Sequence, residues 1–255
     1  MDIVFVIDVV NKILFRSSFL RSMIIINLML QLLTFSSYNN EEDNEERRIG
    51  MSKKLLWQWS TFFSGLIIMS LGITLTIKGN VIGTSPWDVF HIGLFKQFGL
   101  TIGTWSILTG LFIVLSTSLY LKRFPKLATI LNMLCIGAFI DLFNWMLPDT
   151  DILAGAIVYF ILGFFVMSIG CAMYISASLG EGPRDSIMMI IASKGYSVKT
   201  GRMVIEVLAA GVGWLLGGPV GIGTVILALG TGYIIQPSLF FFKRKLEERI
   251  GEPLV

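Results

Sequence analysis

Between Met51 and Phe242 the chain alternates long apolar runs with short charged clusters. A helix of about 20 apolar residues crosses the ~30 Å hydrocarbon layer of a bilayer. Six runs of that kind are read, at roughly 55–77, 102–121, 127–147, 152–175, 198–216 and 220–242. Lipid offers the backbone no hydrogen-bond partner, so such runs are expected to be helices. Charged residues make up only 15% of the chain, against about 25% in soluble domains, so no polar shell is available to clothe a water-soluble core. The net charge of +3 is too small to indicate nucleic-acid binding. Cys135 and Cys171 lie deep in apolar runs without a CxxC or histidine partner in sequence, which argues against a disulfide, a metal site or a cofactor.

The basic clusters set an orientation. Lys53 and Lys54 precede the first run, and Lys122, Arg123 and Lys126 join the second and third. Lys194, Lys199 and Arg202 surround the start of the fifth, and Lys243, Arg244 and Lys245 follow the sixth. The joins at Pro148, Asp149 and Asp151 and at Gly217, Gly218 and Pro219 hold no basic residue. By the positive-inside rule, both termini and the Lys122 and Lys194 joins are expected to be cytoplasmic.

The halves resemble each other. LGITLTIKGNVIGTSPWDVF, from Leu71, aligns with IGCAMYISASLGEGPRDSIM, from Ile169. Gly72 then pairs with Gly170, Pro86 with Pro183 and Asp88 with Asp185. Thr104 pairs with Thr200, and ATILNMLCIGAFID, ending at Asp141, pairs with GTVILALGTGYIIQ, ending at Gln236. Three spans per half is an odd number, so the second half enters from the opposite side, as in the inverted repeats of secondary transporters. The expected fold is all-α integral membrane: six transmembrane helices in two inverted three-helix repeats, covering 51–148 and 149–245, followed by a cytoplasmic tail, 246–255.

Between the first two runs of each half lies a segment too short to span, at 86–98 and 183–194. Each starts as helices start: Pro86 and Pro183 have no amide to lose, and Asp88 and Asp185 complement the first-turn amides. An ordinary helix start is as good a reading as a functional one. Recurrence at both equivalent places favours half-helices that present dipoles to a permeant group, or paired carboxylates that bind a cation or proton.

Ionisable groups inside spans are costly and mark functional candidates, with structural pairing the competing explanation. Asp141 and Gln236 are polar at one repeat position, which suggests a hydrogen-bonding role. Glu206 follows Arg202 by one turn and is expected to pair with it. Arg184 can meet an anion or pair with Asp185 or Glu181. His91 follows Asp88 by one turn, but its counterpart is Met188, so it reads as a plain interfacial histidine.

The first fifty residues differ from the rest. Their apolar stretch is broken by Asp8, Lys12, Arg16 and Arg21, and an acidic, Asn-rich segment follows. If Arg47 and Arg48 are encoded AGG-AGG they form a ribosome-binding site just before Met51, so residues 1–50 are expected to lie outside the native protein. A signal peptide is the competing reading, weakened by those charges and the lack of a small-residue cleavage site.

The strings IKGNVIGTSPWDVFHIGL, GLTIGTWSILTG and LLGGPVGIGTVILALGTGYIIQP resemble the bacterial YczE-type membrane proteins, grouped with the YyaS and YitT proteins. The resemblance covers about Met51 to Lys245. It implies a multi-pass protein of the bacterial plasma (inner) membrane and supplies no catalytic or binding residues. The function expected from architecture is a small-solute transporter or exporter, with Asp88, Asp185, Asp141, Glu206, Pro86, Pro183, Arg184 and Gln236 as candidate pathway residues. The alternative is a non-transporting scaffold or accessory subunit of a membrane or biosynthetic enzyme. An enzyme in its own right is disfavoured by the single histidine and the lack of a metal-ligand cluster. Expected partners are the lipid bilayer and a small solute, with a homo-oligomer left open and no nucleic acid.

Overall fold

The computed structural model describes residues 45–150, 152–180, 182–196 and 198–254. The side chains of 45–52, Asp185, Met189, Ala192, Ser193, Val198 and Lys199 fall outside that description. Residues 1–44, most of the expected N-terminal extension, lie outside it too. Among the described residues the chain forms eight α-helices: α1 (Glu45–Lys78), α2 (Pro86–Phe98), α3 (Ile102–Leu121), α4 (Leu127–Met146), α5 (Leu153–Ser176), α6 (Pro183–Ser193), α7 (Val198–Leu215) and α8 (Ile222–Ile250). A 3-10 turn (Asn80–Ile82) separates α1 from α2. The helix that carries the first span begins at Glu45, upstream of Met51.

Among the described residues, five helices are long and apolar enough to cross a membrane: Lys53–Lys78, Ile102–Leu121, Leu127–Met146, Leu153–Ser176 and Ile222–Ile250. α7, the fifth run of the sequence reading, is not among them, because its 18 residues include Lys199, Arg202 and Glu206. α8 exceeds its expected length. Nothing between Lys243 and Arg249 breaks a helix, so it runs on to Ile250. The expected tail is therefore partly helix, and it packs back onto the bundle: Arg249 lies over the Trp57 ring at 4.5 Å, Glu252 pairs with Lys54, and Leu254 is buried.

At the centre of residues 53–255, α1 and α5 cross antiparallel through their glycines. A Cβ on Gly163 would sit 2.7 Å from the Gly72 carbonyl oxygen, and Gly72 itself lies against the backbone of Met167. Gly170 lies against Met69, Gly65 against Tyr174, and Gly79 against Ala156. At one end the Gln58 amide donates to the Ala177 carbonyl at 2.9 Å. In the register that pairs Gly72 with Gly170, these contacts map onto one another. Gly65–Tyr174 becomes Gly163–Thr76, Gly72–Met167 becomes Gly170–Met69, and Gln58–Ala177 becomes Ala156–Gly79. Small residues permit such backbone approach, which is how helices associate in lipid.

The short helices are exchanged in the same sense. α2 packs against α3 of its own half and α7 of the other; α6 packs against α7 and α3. The chain also enters and leaves each short helix at one end of the bundle. Lys78, before α2, pairs with Asp149, and Thr101, after α2, donates to Asp141; Asp141 lies near the C-terminal end of α4 and Asp149 just beyond it. On the other side Ala177, before α6, sits beside Gln58. Lys194, after α6, lies over Tyr120 at 5.3 Å, at the C-terminal end of α3. Neither short helix crosses the bundle.

Candidate functional site

α2 begins with Ser85, whose hydroxyl accepts the Asp88 amide at 3.3 Å and donates to the Asp88 carboxylate at 2.5 Å. This reciprocal cap fixes the first turn. It also occupies Asp88, which is 1% exposed and buried behind the helix start. Pro86 stands at the first helical position of α2 and Pro183 at that of α6, both buried.

The two helix starts converge on one cavity of about 200 Å³. Its lining includes Ser85, Pro86, Trp87 and His91 from α2, and Gly182, Pro183, Arg184 and Met188 from α6. Residues of the other helices complete it in equivalent pairs: Met69 and Met167, Asn132 and Leu227, Ile136 and Thr231, Ser106 and Arg202. The frame is thus two-fold in position and unequal in chemistry, since a polar group in one half commonly faces an apolar one in the other.

Among the described residues two arginines and one glutamate line the cavity. Arg202 donates from Nε to Glu206 at 2.8 Å and also reaches the Thr231 hydroxyl at 3.3 Å. Arg184 lies over the Trp87 ring, 4.7 Å from its centre, in a cation–π contact. Two buried lining side chains keep polar atoms without a hydrogen-bond partner among the described residues: both ring nitrogens of His91 and the amide nitrogen of Asn132. His91 Nδ1 lies 3.9 Å from Asp88 Oδ1, beyond hydrogen-bond distance. A buried polar group left unpaired costs about 1–3 kcal/mol, so these atoms mark where the cavity is unfinished.

Of the residues singled out in the sequence, Pro86, Pro183, Arg184 and Glu206 line the cavity and Asp88 stands directly behind it. The Asp185 side chain lies outside the described residues. Asp141 does not line the cavity. Its carboxylate accepts from Thr101 Oγ1 at 2.5 Å and from the Gly103 amide at 2.9 Å, and so caps α3. Gln236 is exposed, away from the cavity, so the shared polarity of this pair does not reflect a shared place in the site. His91 is the reverse case. The sequence reads it as interfacial, whereas it is 1% exposed and forms part of the cavity wall.

Residues 56–239 match the model of a family described as a family of unknown function, DUF6198. The chain belongs to that family. It is 46% identical over 190 residues to the uncharacterized membrane protein YczE of Bacillus subtilis (strain 168), covering 74% of this chain and 88% of the relative. It is 28% identical over 176 residues to the uncharacterized protein YyaS of the same organism, covering 68% and 87%. An uncharacterized protein of Haemophilus influenzae is 30% identical over 178 residues, covering 69% and 81%. No solved structure matches. The expected resemblance to YczE-type proteins is thereby shown, and the chain is a multi-helix membrane protein of the DUF6198 family.

In this DUF6198 chain the sequence reading overlooked Asn132, Trp87 and Ser106. Asn132 sits inside an apolar run opposite Leu227, and its only signal was a lone amide in a span.

Proposed function

We propose that this protein is a small-solute transporter or exporter of the bacterial plasma membrane and that the central cavity holds the solute. It has six spans in two inverted halves, with both termini cytoplasmic. The observation that carries the reading is the convergence of both short helices, entering from opposite ends, on a single cavity lined by equivalent residues of the two halves. Discontinuous helices that point their N-termini at a shared central site are the device by which inverted-repeat transporters hold solutes.

The α1–α5 crossing supports the inversion. Two antiparallel helices whose contacts exchange are related by a two-fold axis perpendicular to them. When the helices span, that axis lies in the membrane plane. α7 completes the sixth span: 18 residues rise about 27 Å, and the Arg202–Glu206 pair reduces its burden of charge. The ends that carry Lys54, Lys126 and Lys194 gather on one side, through Lys54–Glu252, Lys194–Tyr120 and the packing of Gly180 beside Lys126. This accords with a cytoplasmic face there. We assign the cavity no catalytic step.

The test is untargeted metabolite profiling of a deletion strain, followed by flux of the altered solutes into proteoliposomes. At least one solute is expected to change its distribution between cells and medium, and to move faster through the protein than through empty vesicles. An unchanged distribution, with no flux above the empty-vesicle rate, would replace this reading with that of a non-transporting scaffold.

A further inference from the structure

Among its described lining residues the cavity holds two guanidinium groups and a single carboxylate, besides hydroxyls that can donate or accept. Glu206, its one described carboxylate, is engaged by Arg202. Asp88 does not line it and is held by Ser85 in its own cap, with its other oxygen 3.9 Å from His91 Nδ1. Facing the cavity, beside these hydroxyls, are the Asn132 amide nitrogen, the His91 ring, the Arg184 guanidinium over Trp87 and the positive ends of two helices of 13 and 11 residues. Asn132 and His91 are independent of the helix ends, are 4% and 1% exposed, and lack hydrogen-bond partners for the atoms concerned. A cation would meet two guanidinium groups and only one carboxylate already paired with one of them. An anion would supply the missing acceptors. Met133, Met167 and Leu227 give the wall an apolar stretch beside the hydroxyls of Ser106, Thr109, Ser168 and Thr231, and that stretch suits a short hydrocarbon tail.

Resting on the cavity as the solute site, we infer that its ligand is a small organic carboxylate. The head group lies between the two helix starts, accepts from Asn132 and His91, and leaves its tail against the methionine and leucine wall. An isosteric series tests this on the purified full-length protein: isovalerate, its neutral amide isovaleramide, and the cation isoamylammonium, each titrated by calorimetry and thermal shift. Isovalerate is expected to bind at least tenfold more tightly than either analogue and to raise the melting temperature. Asn132→Leu and His91→Met each place in one half the residue that the other half already carries at the equivalent position. Each is expected to weaken isovalerate binding tenfold or more with the elution profile unchanged.

Equal or stronger binding of isovaleramide or isoamylammonium by the unaltered protein would overturn the assignment whether or not the variants fold. So would isovalerate binding indifferent to both substitutions. Flux of an uncharged or cationic solute without isovalerate binding would also overturn it while leaving transport intact. Selective isovalerate binding with no flux of any solute would uphold the carboxylate site and remove the transporter reading.

Discussion

Gly65 and Gly170 meet backbone to backbone: a Cβ on Gly65 would lie 2.9 Å from the Gly170 carbonyl oxygen, and one on Gly170 would lie 2.8 Å from the Gly65 carbonyl oxygen. The reciprocity of those two distances is the α1–α5 crossing in miniature. No larger residue fits without separating the helices that the rest of the bundle surrounds. Gly65→Val and Gly170→Val are therefore expected to destabilise the protein by about 1–3 kcal/mol or more. The readout is loss of the monodisperse peak in detergent and a lowered melting temperature. Gly211→Ala and Gly232→Ala, where nothing stands within 4 Å of an added Cβ, are expected to leave both unchanged.

Asp141 is assigned a capping role, so its removal should affect stability ahead of solute handling. Asp141→Ala leaves the Gly103 amide and the Thr101 hydroxyl without their acceptor. The expected cost is about 1–3 kcal/mol for each group that stays buried and unpaired. Melting temperature should fall while the ranking of solutes in a binding or flux panel stays the same. A changed ranking would place Asp141 in the pathway instead.

Packing on the two sides of the cavity differs. On the side of Lys78, Gly93 packs on the Gly213 carbonyl and Gly218 on the Val89 backbone. Gly83, in the positive-φ conformation that glycine favours, lies against Gly221. At the other side Arg202 lines the cavity and yet has 41% of its side chain exposed. A cysteine at Ser106, in a Cys171→Ser background, is expected to react with a membrane-impermeant maleimide from the side of the Lys122 loop and not from the Lys78 side. Labelling only from the Lys78 side would contradict this arrangement.

Reporter fusions provide the topological check. Fusions in the Lys122–Lys126 join, after Lys194 and at the C-terminus are expected to report the same compartment, and fusions at Pro148 and Gly217 the opposite one. A split between Lys122 and Lys194 would disprove the inverted arrangement.

The apolar helices, the two short helices and the packing glycines could be read from the sequence because they rest on residues with few alternatives. A proline followed by an acid two positions later starts a helix wherever it falls, and glycines that recur in register mark helix crossings. The chemistry of the site was harder to read, for a physical reason. Pairing by repeat rewards positions where both halves agree, so it promoted Asp141 and Gln236, of which one caps α3 and the other faces outward. It demoted His91 because Met188 stands opposite. The cavity wall is instead built where the halves differ: His91 against Met188, Asn132 against Leu227, Trp87 against Arg184. The length of α8 escaped for another reason. Hydropathy ends a span at the lipid boundary, while Lys243 to Arg249 are good helix formers that carry the same helix beyond it.

That mismatch between like frame and unlike furnishing gives the chamber a heads and a tails. Under the proposed inversion, the surrounding helices offer either membrane face the same scaffold turned over. A molecule lodged there would nonetheless meet imidazole and carboxamide from one half and guanidinium groups from the other. Rotating the frame by half a turn would restore its outline but reverse the occupant, so in the proposed transporter arrival from one face and arrival from the other would be chemically different events.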